Sequence, residues 1–548
     1  MKRKIGLSIA LAIAGLSVFL VAANDLYYYK INRSFEIFGA VYREIAQNYV
    51  LEIDPDDLMD DALEGMLNNL DPYTEYLRDE DYDDIDVMTT GYYSGLGISV
   101  GYLDSMITIL DVYDGYPADS AGLKIGDRIF AADSVVLLNQ RSDSLRKFTR
   151  GEEGEILKLT ILRDGIDDTL NFEIPRGKID ISTVSYSGML NDSIGIIVLD
   201  RFSKKSTREV RQAYNRLKRY PEFSGLILDL RENGGGLMES AISIAEIFLP
   251  KGSEIVTTRG RGFKSERTFK SDNYRVDTTT KLAVIINGRS ASASELLAGA
   301  LQDHDRAVIV GRQSFGKGLV QSVMDLPYRN SIKITTSKYY IPSGRSIQKL
   351  DYGKHGKKML NGKKDSVFYT KNGRVVYEMN GIKPDSVVDP RKMGDFVRTL
   401  VHKNQFFNFA NIYANTHDSI PKKFEIDEKI FNEFKKYVEG NKIEFTSDLE
   451  FALTSLKKAN ENSENKKITK KIKEIEKILN QDQDLFAENE ETIKELLEYD
   501  IHRRFLSSKK FAEYKLDGDF DIEAALNSIE KNRYEFLLSP KSENNSEN

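Results

Sequence analysis

Three observations predict a multidomain α/β chain with a helical extension. In the middle of the sequence, strands of buried type such as Ile194–Asp200 (IGIIVLD) and Gly225–Leu230 (GLILDL) alternate with amphipathic helical stretches, the pattern of a parallel sheet. Before them, from Gly91, short strands and glycine turns follow one another; beyond about Pro390 the pattern is helical. At 548 residues, 40% of them hydrophobic, the chain is long enough for several separately cored domains. The expected divisions are residues 1–24, 32–86, 87–178, 179–395 and 396–538, with a disordered polar tail at 539–548. A net charge of −7 and the lack of a long basic stripe argue against nucleic acid as a partner. With no cysteine, disulfides, thiol catalysis, cysteine-ligated metals and lipid attachment through cysteine are excluded.

At the start, Lys2-Arg3-Lys4 precedes the uncharged run Ile5–Ala23. A basic flank and an apolar stretch suit a signal peptide, cleaved after Val21-Ala22-Ala23, or an uncleaved membrane anchor. Either way the remainder is expected to be exported, to the periplasm or cell envelope. Ser34–Val50 places Phe35, Phe38, Tyr42, Ile45 and Tyr49 at helical spacing. A second helix is expected to open with Asp54 as N-cap and Pro55 at its first position, with Leu58, Ala62, Leu63, Met66, Leu67 and Leu70 on one face. The β-rich stretch that follows contains Gly95-Leu96-Gly97-Ile98 and then PADSAGLKIGDRI (Pro117–Ile129). Together these resemble a PDZ domain. That resemblance implies that successive N–H groups of the 95–98 loop receive a polypeptide's terminal carboxylate, while the edge of the next strand pairs with its backbone.

The chemistry concentrates in INGRSASASELLAGALQDHDRAVIVGRQSFGKGLVQ, Ile286–Gln321. Ser290, Ser292 and Ser294 alternate with alanine at the start of a helix expected at about Ser294–Gln302. There, unpaired backbone N–H groups and the helix dipole favour developing negative charge. Lys317 lies between Gly316 and Gly318, in a loop whose backbone can come close to another group. A serine hydroxyl is a weak nucleophile that needs a base, and a desolvated lysine can be that base. Upstream, DLRENGGG (Asp229–Gly236) leads from a strand into a helix. It lacks the lysine-serine of a phosphate loop and the spacing of a dinucleotide fingerprint. It reads instead as an oxyanion site, where glycines let N–H groups approach a tetrahedral intermediate.

In this order the motifs resemble the carboxyl-terminal processing (tail-specific) proteases. The SASASE-like segment, the Gln302-Asp303 pair and the Phe315–Gln321 loop (FGKGLVQ) carry the resemblance, which extends over roughly Phe35–Pro390. It implies a PDZ-containing serine endopeptidase with a ClpP/crotonase-like core and a Ser–Lys dyad that uses no cofactor or metal. By motif position Ser292 is the nucleophile, Lys317 the general base and Gln321 its orienting partner, with Gly235, Gly236 and Ala293 supplying oxyanion N–H groups. The implied partners are polypeptides with accessible C-termini. The family pattern D-L-R-x-N-P-G-G carries proline where this chain has Gly234. PSGRSIQ (Pro342–Gln348) and GIKPDSVVD (Gly381–Asp389) resemble later family segments, and Lys349–Arg374 between them is expected to be a solvated insertion.

Other chemistries fit less well. A Ser–His–Asp triad would draw on one of five histidines, of which only His304 lies near the motif. Twelve residues along one helix put it about 18 Å from Ser292. Asp303, at the same helix end, reads as a structural ion pair or loop anchor. No HExxH pair supports a metallohydrolase. A catalytically inactive PDZ-bearing envelope scaffold is the alternative outside the enzymes, and an acyl-CoA hydratase-like enzyme would leave the PDZ-like stretch and export signal unexplained. The helical extension shows no catalytic spacing; docking an activating partner, blocking the active site and holding an oligomer all stay open.

Overall fold

The computed structural model describes residues 26–78, 91–139, 145, 148–261, 266–273, 277–352, 358–360, 366–378, 380–461, 465–479 and 484–540. The expected signal or anchor at 1–24 and most of the polar tail lie outside these residues. Among the described residues no helix is long and apolar enough to cross a membrane. Two units are distinguishable. The smaller takes its described residues from Met1–Leu77, Gln321–Thr335 and Tyr352–Met359; the larger contains the rest.

In the smaller unit, residues 26–48 are helical and a second helix spans Pro55–Leu67. Asp54 caps that helix as expected, its side chain accepting from the Asp56 N–H at 2.7 Å. The strand Glu75–Leu77 pairs antiparallel with Ser331–Lys333.

The larger unit begins with a six-stranded antiparallel sheet whose main path runs in sequence order: β1 (Ile98–Leu103), β2 (Met106–Val112), β3 (Arg128–Ala132), β4 (Ile156–Leu162) and β5 (Leu170–Pro175), with the two-residue strand Val135–Val136 paired to β3 off that path. Its core is Leu96, Ile107, Ile109, Ile129, Leu157, Leu159 and Ile161. Within the sheet β1 pairs only with β2, so it is an edge strand, the geometry onto which an extended peptide can add.

A six-stranded sheet follows, also in sequence order: β6 (Val184–Met189), β7 (Ile194–Leu199), β8 (Gly225–Asp229), β9 (Lys281–Ile286), β10 (Val308–Gly311) and β11 (Ser386–Val387). The first pair is antiparallel and the rest are parallel. Every crossover advances the same way, and right-handed crossovers then put their helices on one face. These are α1 (Ser206–Leu217), α2 (Met238–Ala245) and α3 (Ala293–Asp303), packed with Leu199, Leu226, Leu228, Val284 and Ile309. The alternate residues Ile196, Ile227, Ala283, Ile285, Val308 and Val310 face the other way and need a separate cover.

The C-terminal domain supplies it. Its own core joins α4 (Gln405–Thr416) and α5 (Glu490–Phe505) through Phe406, Phe409, Ile493, Leu497 and Ile501, with Phe434 of the helix Glu428–Gly440 packed in the same cluster. From its end, α6 (Phe520–Ile529) lays Ile522, Ala525 and Ile529 on the open face of the β6–β11 sheet. The same domain holds the antiparallel sheet of β1–β5. Arg503 donates to Leu110 O at 2.8 Å, and Asn411 packs so closely on Gly126, at φ +93°, that a Cβ there would overlap it.

The expected solvated insertion is corrected at its C-terminal end. Thr370 and Arg374 are buried, and Arg374 bridges Asp305 and Asp385, each at 2.5 Å. Two buried carboxylates need a counter-ion, and this segment provides it.

Candidate active site

Helix α3 is buried along its whole length, and the serine turn at its start is fixed by the flanking serines. Ser290 and Ser294 are fully buried. The Ser290 hydroxyl donates to Leu230 O at 2.7 Å and the Ser294 hydroxyl to Asn233 O at 2.8 Å. Both are therefore spent on the Asp229–Gly236 loop. Ser292, half-buried between them, sits at φ +56° and ψ −112°, a conformation a non-glycine residue holds only where its surroundings impose it. A sharp, strained turn of this kind presents a nucleophilic serine at a helix start.

Glu295 imposes that turn. Its Oε2 accepts the Ser292 N–H and the Lys317 N–H, both at 2.8 Å. Its Oε1 accepts the Ser314 hydroxyl at 2.6 Å and the Gly316 N–H at 2.7 Å. On the other side, the Tyr339 hydroxyl lies 2.9 Å from Ser292 O and 2.7 Å from Lys317 O, its single proton shared between the two carbonyls. One carboxylate and one phenol thus clamp the backbones of Ser292 and Lys317 together. Burial pushes the Glu295 carboxyl up to about 7, against the pull of its four donors. Burial, and then the Glu295 charge, hold the Tyr339 phenol well above its ordinary range, so it stays a donor.

The lysine loop needs its glycines. A Cβ on Gly316 (φ +92°) would come within 2.6 Å of Lys349 Cβ, and one on Gly318 within 3.0 Å of Gln348 N. Gln348 Oε1 accepts the Gly318 N–H at 2.7 Å, and Lys349 N–H donates to Gly316 O at 2.9 Å. Gln321 is placed differently from its neighbours in sequence: its Nε2 donates to Thr335 Oγ1 at 3.2 Å, and Thr335 donates on to Asp71 at 3.0 Å.

Around the oxyanion position the donors sort themselves. A Cβ on Gly235 would lie 2.9 Å from Ser292 Cβ and 3.0 Å from Ala293 N, so the glycine loop abuts the serine turn. The Gly235 N–H itself is given to Asn233 Oδ1 at 2.9 Å, which corrects its expected role as a donor to the oxyanion. The N–H groups of Gly236 and Ala293 have no acceptor among the described residues. Gly236 is held against Phe202 too closely for any side chain.

Comparison with known proteins identifies the domains that carry these residues. The profile of peptidase family S41 matches residues 193–353 and that of the PDZ domain residues 94–174. The profiles described as "Probable PDZ-protease, C-terminal helical domain" and "Activating protease CtpB N-terminal domain" match residues 396–529 and 23–81. The carboxy-terminal-processing protease of Bartonella bacilliformis is 39% identical over 316 residues, 57% of this chain and 72% of the relative. This chain belongs to the carboxy-terminal-processing protease family. The corresponding protease of Synechocystis sp. is 37% identical over 297 residues, covering 53% of this chain and 68% of its own. CtpA of Bacillus subtilis is 31% identical over 316 residues, covering 58% and 67%. The chain is accordingly a PDZ-bearing serine peptidase.

In this protease His304 is the C-cap of α3 and its Nε2 lies 2.6 Å from Glu254 O, at the opposite end of the helix from Ser292. Asp303 forms a buried ion pair with Arg345 at 2.9 Å, each side chain 1% exposed, as a structural anchor should. In the PDZ loop, Leu96 is buried in the domain core and Gly97 sits at φ +79° with Tyr116 Cβ 2.5 Å from where its Cβ would be. The Leu96 and Gly97 carbonyls accept from Ala118 and Tyr113 N–H, both at 2.9 Å, while the Leu96 and Gly97 N–H groups have no acceptor among the described residues. Sequence reasoning missed Glu295, Tyr339 and Asn233. Glu295 was within reach, because a glutamate at the third helical position is the reciprocal half of a capping box. Tyr339 was not, because nothing local distinguishes it from a core tyrosine.

Proposed function

We propose that this chain is an exported serine endopeptidase that captures polypeptide C-termini on its PDZ domain and cuts upstream with a Ser292–Lys317 dyad. The observation that carries the dyad is the shared clamp: Glu295 accepts the N–H of both residues and the Tyr339 hydroxyl bonds both carbonyls. Ser292 Oγ attacks the scissile carbonyl while neutral Lys317 takes its proton, and the lysine then returns that proton to the leaving amine. A water deprotonated by the same lysine hydrolyses the acyl-enzyme. The oxyanion is met by the Ala293 and Gly236 N–H groups, with Asn233 and Gly235 fixing the loop. Gln321 orients the lysine by motif position. The substrate's terminal carboxylate meets the Gly95–Ile98 loop, and its backbone adds to the free edge of β1. Export to the periplasm or cell envelope, with or without a tether, rests on the Ile5–Ala23 run behind its basic flank.

The test incubates the protein with an unfolded polypeptide and maps the cut sites by mass spectrometry, beside Ser292→Ala and Lys317→Ala. Cleavage in the wild type and in neither variant is expected, with all three folded by circular dichroism. A folded wild type that cuts nothing would favour the inactive scaffold; a Lys317→Ala variant with full activity would remove the dyad.

A further inference from the structure

The loop Leu230–Leu237 passes through left-handed backbone at Glu232 (φ +60°), Gly235 (φ +104°) and Gly236 (φ +136°). Backbone of that kind persists only when outside contacts over-determine it. Asn233, Ser290 and Ser294 hold it from within the core. Asn287 and Arg289 bond Glu232, and the Phe202 backbone brackets Gly235 and Leu237. Arg231 is the anchor that reaches into a different domain. Its Nη2 donates to Asp229 Oδ2 at 2.7 Å and its Nε to Asp229 Oδ1 at 3.0 Å. Its Nη1 donates to Asp519 at 2.7 and 2.9 Å and to Asp521 Oδ2 at 3.0 Å. These two aspartates stand at the N-terminal end of α6, in the C-terminal domain. Asp521 Oδ2 also receives Arg312 Nη2 at 2.5 Å, just beyond β10, so one carboxylate joins the ends of two core strands. Asp519 Oδ1 is at the same time the N-cap of α6, accepting the Asp521 and Ile522 N–H groups. Burial opposes the Arg231 charge, but the Asp229 and Asp519 carboxylates outweigh it and keep the guanidinium charged.

We propose that Asp519 and Asp521 are positioning residues for peptide hydrolysis: through Arg231 they hold the loop that carries Asn233 and Gly236, so the C-terminal domain sets the geometry of the oxyanion donors. This rests on the Ser292 peptidase reading. The apolar seat of α6 on the sheet supplies stability, and the paired aspartates supply geometry; the two are separable by mutation.

Full-length wild type, Asp519→Asn/Asp521→Asn, Asp519→Asn, Ile522→Ala and Ser292→Ala are compared for kcat, KM and Tm on one peptide. Asn caps a helix about as well as Asp, so Asp519→Asn removes charge and leaves the cap. The double variant is expected to lose about 10- to 100-fold in kcat with KM within about twofold, and Asp519→Asn to move the same way. Ile522→Ala is expected to lower Tm and leave kcat within about twofold. The inference is overturned if kcat of the double variant, or of Asp519→Asn should the double variant not fold, stays within about twofold of wild type. It is equally overturned if Ile522→Ala lowers kcat as much at a matched loss of Tm. Cleavage lost in Ser292→Ala but intact in the double variant overturns this inference alone, whereas cleavage that persists in Ser292→Ala overturns the peptidase reading with it.

Discussion

Glu295→Gln separates holding the site from holding the fold. The carboxyl titrates near 7 in the folded protein against 4.5 for an ordinary glutamate. The folded state therefore keeps a proton that the unfolded chain releases between those values, and stability falls as pH rises across that window. At pH 8 the ionised side chain costs the fold roughly 3 kcal/mol. Gln has the same size, no charge and one acceptor oxygen. That oxygen can serve the Ser292 and Lys317 N–H groups or the Ser314 and Gly316 donors, and its NH2 then confronts the other pair. Weaker bonds to a neutral acceptor and one stranded buried N–H together lose about 3 kcal/mol, the same order as the desolvation relieved. Tm at pH 8 should therefore move by only a few degrees. Activity should not be spared, because Ser292 and Lys317 lose their charged common acceptor. We expect kcat to fall about 100-fold, equivalent to about 2.7 kcal/mol of barrier. In the wild type, activity should rise with pH through about 7 as Glu295 ionises, and the variant should lose that dependence together with the fall in stability between pH 4.5 and 7. Steady-state cleavage and thermal melts from pH 5 to 9 read all of this. A variant with native Tm and kcat within about threefold of wild type would refute the clamp. One that unfolds in step with its loss of activity would show Glu295 to be structural.

Ser290→Ala and Ser294→Ala should each cost about 1–2 kcal/mol of stability in thermal melts while keeping most activity, since their buried hydroxyls serve loop carbonyls; an active Ser292→Ala beside a dead Ser294→Ala would move the nucleophile. Amidating the C-terminus of a peptide that ends in apolar residues should lower kcat/KM about 10- to 100-fold, by removing the charge the Gly95–Ile98 loop is proposed to bind. Equal rates for acid and amide would sink tail recognition and leave the dyad untouched. Asp303→Asn should destabilise the protein by about 3–5 kcal/mol, read by denaturant unfolding, because Arg345 is left as an uncompensated buried charge. His304→Ala should leave the pH profile of cleavage unchanged.

The backbone constraints at the candidate site are written in short stretches, and those were legible. A glycine at 316 or 318 marks a close approach, alternating serines mark a crowded helix start, and an Asp-Pro pair marks a helix beginning at residue 55, because each is a local constraint on backbone. The buried strands at Ile194–Leu199 and Gly225–Asp229 were legible for the same reason, as hydrophobic runs punctuated by turns. What only tertiary structure decided is who occupies each donor and acceptor. Gly235 looks identical to Gly236 in sequence, yet Asn233 takes the N–H of one and not the other. Tyr339 bonds the carbonyls of Ser292 and Lys317 from a strand well downstream of either residue. The role of the extension was hidden most completely. A sheet whose crossovers all run one way covers one face with its own helices and leaves the other apolar, and the helix that covers it here, with the aspartates that grip Arg231, comes from about 290 residues further along the chain. Nothing local in α6 announces that partner, because burial and ion pairing belong to the pair of surfaces that meet and to neither segment alone.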